Sequence, residues 1–226
     1  TNLQTGLTPA MGESFPLKRF PDTKESSTAV YVQDEIIGGP WSITPGVRLD
    51  SFTLDATQAG FSPPATQPAA SLSGSATSPK LGVLYRATSQ WSVYGNYAHG
   101  FKAPNANQVN GFFENVVAFY RTIPNPNLKP EKSRNFELGA RGRMDAVSVD
   151  VAAFTGRYQD FIEENRQVSG AGVPGSPTTF QTVNIGNVRI SGFEVKGNVT
   201  WGRAAGGTWS SPFGYGQTRG KDTHTG

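Results

Sequence analysis

Between residues 105 and 124 the chain gathers Phe112, Phe113, Phe119, Tyr120 and Arg121. Such a set suits one kind of chemistry. Aromatic rings stack on a flat apolar ligand, a phenol can ligate iron, and a guanidinium pairs with a carboxylate. The plainer alternative is that Phe112, Phe113, Val116, Val117 and Phe119 form a small core of their own. Covalent and metal chemistry find less support. There are 2 His and 0 Cys, which excludes disulfides and thiolate metal sites. His99 and His224 lack the spacing of paired metal ligands. No nucleophile, base and orienting residue form a set, and Asp160, Glu163 and Glu164 sit at the end of a strand pattern, where carboxylates are usually solvated. The expectation is a protein that binds and is not an enzyme.

The elements that would position this cluster are strands. It lies in a segment of roughly 30 residues, FKAPNANQVNGFFENVVAFYRTIPNPNLKPEKS over 101–133, and connections of that length tend to be functional. Alternating patterns flank it at 91–101 and 133–144. Further strand signals come in pairs: 28–37 with 41–52, 80–87 with 91–101, 133–144 with 147–162, and 180–201 with 208–217. Within each pair the joint is short, as at Gly38-Gly39-Pro40. Between pairs it is long, at 53–79, 102–132 and 163–179, and rich in Pro, Gly, Ser and Asn. Short turns at one end and long loops at the other are the construction of an outer-membrane β-barrel.

Alternation within the strands agrees. Phe136, Leu138, Ala140 and Met144 oppose Asn135, Glu137, Arg141 and Arg143; Val147, Val149, Val151 and Ala153 oppose Ser148 and Asp150; Phe193, Val195, Val199 and Trp201 oppose Glu194, Lys196, Asn198 and Thr200. One face suits lipid and the other a wet lumen. Trp41, Trp91, Trp201 and Trp209 all flank short turns, where an aromatic girdle would sit. Composition is compatible: 36% of residues are hydrophobic and 16% charged, with a mean hydropathy of −0.40. No uncharged apolar run approaches the ~20 residues a membrane helix needs. Net charge is +3 with scattered basic residues, which speaks against nucleic acid as a partner.

The two ends of the long segment, Phe101-Lys102-Ala103-Pro104 and Asn125-Pro126-Asn127-Leu128, resemble the FRAP and NPNL boxes of TonB-dependent outer-membrane receptors, above all those for haem and haemoglobin. YVQDEI (31–36), WSITPGVRLD (41–50), YGNYAHGFKAPN (94–105), NPNLKPEKSRNFELGAR (125–141), FTGRYQDFIEE (154–164) and FQTVNIGNVRISGFE (180–194) are similar to further segments of that family, in family order. The resemblance implies an all-β fold, an antiparallel transmembrane β-barrel of 22 strands behind an N-terminal plug, of which about eight strands are present here. Nothing here resembles the plug, and KDTHTG (221–226) reads as mid-loop. The whole of 1–226 is thus expected to be part of one barrel domain.

By the same resemblance the function would be TonB-dependent uptake of haem or haemoglobin-derived iron across the bacterial outer membrane. No cofactor would be tightly bound, and haem would be the transported ligand. The partners would be the TonB complex, reached through the plug, haem or a haem protein, and outer-membrane lipid. The alternatives are a ferric-siderophore receptor of the same superfamily, a small eight-strand barrel without transport, or a soluble β domain. Physically the boxes suit the hinges of a ligand loop: Pro104 ends strand pairing, Pro126 and Pro130 stiffen the return, Asn125 and Asn127 suit turns, and Glu131 and Ser133 can satisfy free backbone groups. Receptors of this type are expected to carry a histidine between the boxes, and this chain has none between Pro104 and Asn125. The nearest, His99, shares the lipid-side parity of Val93 and Tyr97. Tyr120 is then the remaining iron-ligand candidate, with Arg121, Phe112 and Phe113 as further haem contacts. Lys102 stands where the family usually has Arg, which weakens bidentate recognition.

Overall fold

The computed structural model describes residues 19–59, 68–204 and 206–223. In chain order, β1 (Asp22–Gln33), the short β2 (Ile36–Gly38) and β3 (Trp41–Thr57) come first. β4 (Leu72–Arg86) and β5 (Trp91–Lys102) follow, then helix α1 (Ala106–Asn110) and two short strands, β6 (Phe113–Asn115) and β7 (Tyr120–Ile123). After them come β8 (Glu131–Arg143), β9 (Val147–Gln159), β10 (Phe161–Ser169), β11 (Thr178–Ile185), β12 (Val188–Ala204) and β13 (Gly207–Asp222).

Eight long strands form one sheet in the order β1-β3-β4-β5-β8-β9-β12-β13, with β2 paired to the start of β3. Every pairing in it is antiparallel. The strands are 12 to 17 residues long, more than the ~9–11 that span a bilayer. Chain neighbours are sheet neighbours because the joints at one end are tight. Gly39 takes φ +55 at the first, where a residue without Cβ carries no penalty. At the second, Thr88 Oγ1 accepts from the Gln90 and Trp91 amides at 3.1 and 3.0 Å.

Register sorts the two faces, since residues directly opposite share one. Tyr94, Asn96, Glu137, Arg141, Asp150 and Lys196 fall on the polar face; Val83, Gly95, Leu138 and Ala153 align across four strands on the other. Much of the second face is open, with Leu138 at 52% and Phe136 at 49% exposure. Apolar surface on that scale calls for a covering medium, as lipid against a barrel wall would be. Trp41 packs on Tyr85 with ring centroids 4.5 Å apart, at the short-turn end where the girdle is expected.

Two elements differ from the sequence reading. The patterns 147–162 and 180–201 each split in two. The first breaks at Asp160, which takes φ +54, and the second at Gly186-Asn187. Neither break falls at a proline, and apolar residues stand close on both sides of each, Tyr158 and Phe161 at the first and Ile185 and Val188 at the second, so each run reads as one strand. The excess pieces, β10 and β11, leave the long sheet and join β7 and β6 in a four-stranded second sheet of order β10-β11-β7-β6. The long loops therefore carry their own structure. The buried apolar cluster lies beneath it, where Val109, Leu128 and Ile162 (0%, 1% and 6% exposed) meet Ala70 and Leu72.

Candidate functional site

The loop assembly starts at the two boxes. Lys102 and Glu131 end β5 and start β8 as a register pair, and Lys102 Nζ lies 3.4 Å from Glu131 Oε2. Glu131 Oε1 accepts from the Ile162 amide at 2.8 Å, so this largely buried carboxylate does satisfy a free backbone group, that of the corner where β9 passes into β10. Pro104 is buried and closes the strand. Asn105 then caps α1: its Oδ1 accepts from the Gln108 amide at 2.9 Å, and Gln108 Oε1 accepts from the Asn105 amide at 3.1 Å. This reciprocal cap satisfies two orphan donors of a helix only five residues long.

α1 acts as a peg. Its Val109 enters the apolar cluster. Asn110, fully buried, donates to the Ala70 carbonyl and accepts from the Ala70 amide, both at 2.8 Å. Gln108 Nε2 donates to Glu164 Oε1 at 2.6 Å, and the Ala106 amide to Glu25 Oε1 at 3.1 Å. One short helix thus ties β1, the chain leading into β4, and β10 together. The second box is tied to β11. Asn125 Nδ2 donates to the Thr182 carbonyl at 2.9 Å, and its Oδ1 accepts from the Asn127 amide at 3.1 Å. Leu128 fills the cluster, while Pro126 and Asn127 stay exposed. Asn184 accepts from the Lys129 amide at 2.7 Å and donates to the carbonyls of Lys129 and Asp160 at 2.8 and 2.7 Å. Phe101 packs on Phe52 with centroids 5.7 Å apart, and half-buried Ala103 leads into Pro104.

Of the aromatic set, the structure brings Phe113 and Tyr120 together, ring centroids 5.7 Å apart at 39°. Both project from one face of the small sheet. Successive strand residues face opposite ways, so Arg121 lies on the other face, its Nε donating to Thr179 Oγ1 at 3.1 Å. The cation beside the rings is instead Arg19, its guanidinium carbon 4.9 Å from the Phe113 centroid. Its carbonyl accepts from the Phe112 amide at 2.7 Å. No sequence signal links residues 19 and 113. Phe119 takes φ +49 at the hairpin tip, where Asn115 Oδ1 accepts from the amides of Val117 and Ala118 at 3.1 and 2.9 Å. Val116 and Val117 are 62% and 53% exposed there, so they are no part of a loop core. His99 stays on β5 with Tyr97, Nε2 to Oη 2.9 Å and rings edge to face, on the lipid-side parity. His224 lies outside the described residues. Among the described residues no three His, Cys, Asp or Glu could together hold a metal ion.

Below the assembly the polar face lines a recess of 680 Å³. Asp150 anchors it, accepting from Tyr94 Oη at 2.9 Å and facing Arg141 Nη2 at 2.8 Å. Asn96 Nδ2 donates to Glu137 Oε1 at 3.2 Å, and Lys80, Glu194 and Lys196 complete the wall. Tyr94 crosses the strand over Gly139, where a Cβ would meet its ring at 2.4 Å. The arrangement is a charged and internally paired surface that suits water or a polar domain.

A family model described as "TonB dependent receptor-like, beta-barrel" matches residues 2–226. The hemoglobin-haptoglobin utilization protein B of Neisseria meningitidis serogroup C is 28% identical over 134 residues, covering 53% of this chain and 16% of that protein. The probable TonB-dependent siderophore receptor PirA of Acinetobacter baumannii is 32% identical over 129 residues, covering 53% and 17%. The matched part of the chain thus spans about a sixth of the length of these relatives. In shape it is similar to the hemophore receptor HasR of Serratia marcescens, solved with its hemophore HasA and heme, at a TM-score of 0.66 and 19% identity over 80% of this chain and 32% of that one.

Proposed function

The chain belongs to the TonB-dependent receptor β-barrel family, and from that premise we propose that it forms the ligand-capturing part of a receptor in the bacterial outer membrane whose cargo is haem. The observation that carries this reading is the Phe113–Tyr120 face with Arg19 beside it. A flat macrocycle stacks on such rings, the phenol can approach its iron, and a guanidinium suits a propionate. The exposed tip at Val116 and Val117 suits contact with a haem-carrying protein. A haemoglobin-haptoglobin protein and a hemophore receptor among its relatives agree with haem as cargo. The family is one of receptors and transporters, and capture needs no covalent step. Energy and release would come from the TonB complex acting through a plug inside the polar face.

A second reading, a ferric siderophore as cargo, is favoured by the lack of His between the boxes and by the siderophore receptor PirA among the relatives. Haem titration of the intact receptor, followed in the Soret region, separates the two. The haem reading expects a saturable shift that the Tyr120→Phe variant alters in position. A flat Soret region with haem, together with quenching of intrinsic fluorescence by a ferric siderophore, would give the site to the second.

A further inference from the structure

Cations on the two faces of the long sheet keep different company. On the polar face Arg141 meets Asp150 at 2.8 Å. On the lipid-side face, toward the long loops, His99, Arg134, Arg157, Arg189 and Lys221 stand directly opposite one another on five successive strands, β5, β8, β9, β12 and β13. Lys132 lies on the same face one register step nearer the loops, and Arg219 one step nearer the turns. Among the described residues, Lys132, Arg134, Arg157 and Lys221 have no carboxylate partner, and the bond from Arg189 runs to a neutral oxygen, Thr155 Oγ1 at 3.3 Å. Like charges directly opposite on a sheet repel, with Cβ atoms only ~5 Å apart. A row of four such neighbours destabilises the sheet unless anions lie along it.

Its level in the barrel says which anions. His99 lies eight residues along β5 from Trp91 at the short-turn end. At ~3.3 Å per residue and a strand tilt of ~40°, the row stands roughly 20 Å above the Trp level. The apolar band of such a barrel is ~25 Å tall, so the row stands about 5 Å inside its loop-side edge, a gap that long Arg and Lys side chains bridge to reach the headgroup layer. Below the row the face turns apolar first on β5 and β8: Tyr97 and Phe136 share the adjoining register row with Thr155, Ser191 and Arg219, and Leu138, Ala153 and Phe193 lie in the row beyond. A groove of 510 Å³, lined by His99, Lys132, Arg134, Arg157 and Arg189 among others, runs along the row and falls in the size range of ligand sites.

We propose that this row binds the phosphate groups of an anionic lipid headgroup in the outer leaflet, with the acyl chains lying on the apolar face beneath. The proposal rests on the reading of the chain as an outer-membrane barrel. Fixed guanidinium forks suit phosphate geometry, and five strands share the load.

The test uses the whole receptor, purified in detergent and moved into phosphatidylcholine vesicles doped with diphosphorylated lipid A. Retained lipid A is measured for the wild type and the triple variant R134Q/R157Q/R189Q. The three positions are exposed, and heat-modifiable migration checks that each variant is folded. The triple variant should hold lipid A about 100-fold more weakly, and R157Q alone about fivefold, which keeps the test sharp if the triple variant misfolds. Dephosphorylated lipid A should bind the wild type no better than the triple variant, and millimolar inorganic phosphate should not displace the lipid. Equal retention by folded wild type and variants overturns the proposal and leaves the barrel reading intact, as does displacement by inorganic phosphate, which would make the row a general anion site. Recovery of the wild type in the soluble fraction without detergent overturns both.

Discussion

The long sheet and the loop assembly above it are stabilised by different physics. The sheet repeats one device, the antiparallel ladder, and leaves an apolar face open on one side and paired charges on the other. Its ion pairs are partly solvated, with Arg141 49% and Asp150 14% exposed, and such pairs contribute little. The loop assembly has few ladder bonds but buries its polar anchors. Asn110 is fully enclosed, Glu131 is 8% exposed, and Leu128 is 1% exposed. A barrel wall tolerates a lost side chain because the backbone carries it. The loop assembly depends on single residues.

That contrast predicts a ranking. Leu128→Ala should have the largest effect, because a fully buried Leu leaves a cavity costing about 2–5 kcal/mol. Native-state hydrogen exchange should show the amides of Val109 and Asn125 opening at least about 30-fold faster, with the β8–β9 ladder unchanged. If the ladder also opens, sheet and loops are one cooperative unit and the contrast fails. Asn110→Ala comes next. It orphans the amide and carbonyl of Ala70, at about 1–3 kcal/mol for each group left unpaired, and limited proteolysis should then cut near residue 70 while α1 stays protected. Arg141→Gln, on the wall, should lower stability by under about 1 kcal/mol and leave exchange in the loops unaltered; a larger loss would mean that the Tyr94–Asp150–Arg141 network holds more than its own wall. Smallest is Val117→Ser at the exposed tip. It should leave stability within about 0.5 kcal/mol yet weaken docking of a haem-carrying protein, read by surface plasmon resonance beside free haem as control.

The sheet was legible in the sequence because a period of two writes itself into residue type. Glu137, Arg141 and Asp150 could be placed on the wet face from alternation alone, and the four short joints from Gly, Pro and polar residues. The loop assembly was only half legible. Pro104 and Asn125 announce turns, and Glu131 was placed as a partner for free backbone groups. The break at Asp160, a single residue at φ +54, was missed because Tyr158, Phe161 and Ile162 around it read as one continuing strand. The parallel pairing of β7 with β11 joins Tyr120 to Thr178 across more than fifty residues, and four-residue strands within loops carry too little pattern to be paired in advance. The same blindness hid the role of Arg19. The separation of Tyr120 from Arg121 was within reach: adjacent residues in any strand face apart, so the two could share a ligand only if the segment were not a strand.

The most direct test of haem capture on the Phe113–Tyr120 face is the affinity of the whole receptor for haem with and without the Phe113 ring. Haem titrations of wild type and Phe113→Ala, run side by side with circular dichroism to confirm an intact barrel, should differ about tenfold, the scale of one lost aromatic stacking contact together with its buried area. Equal affinities in two folded proteins would contradict the assignment and move the haem site off this face.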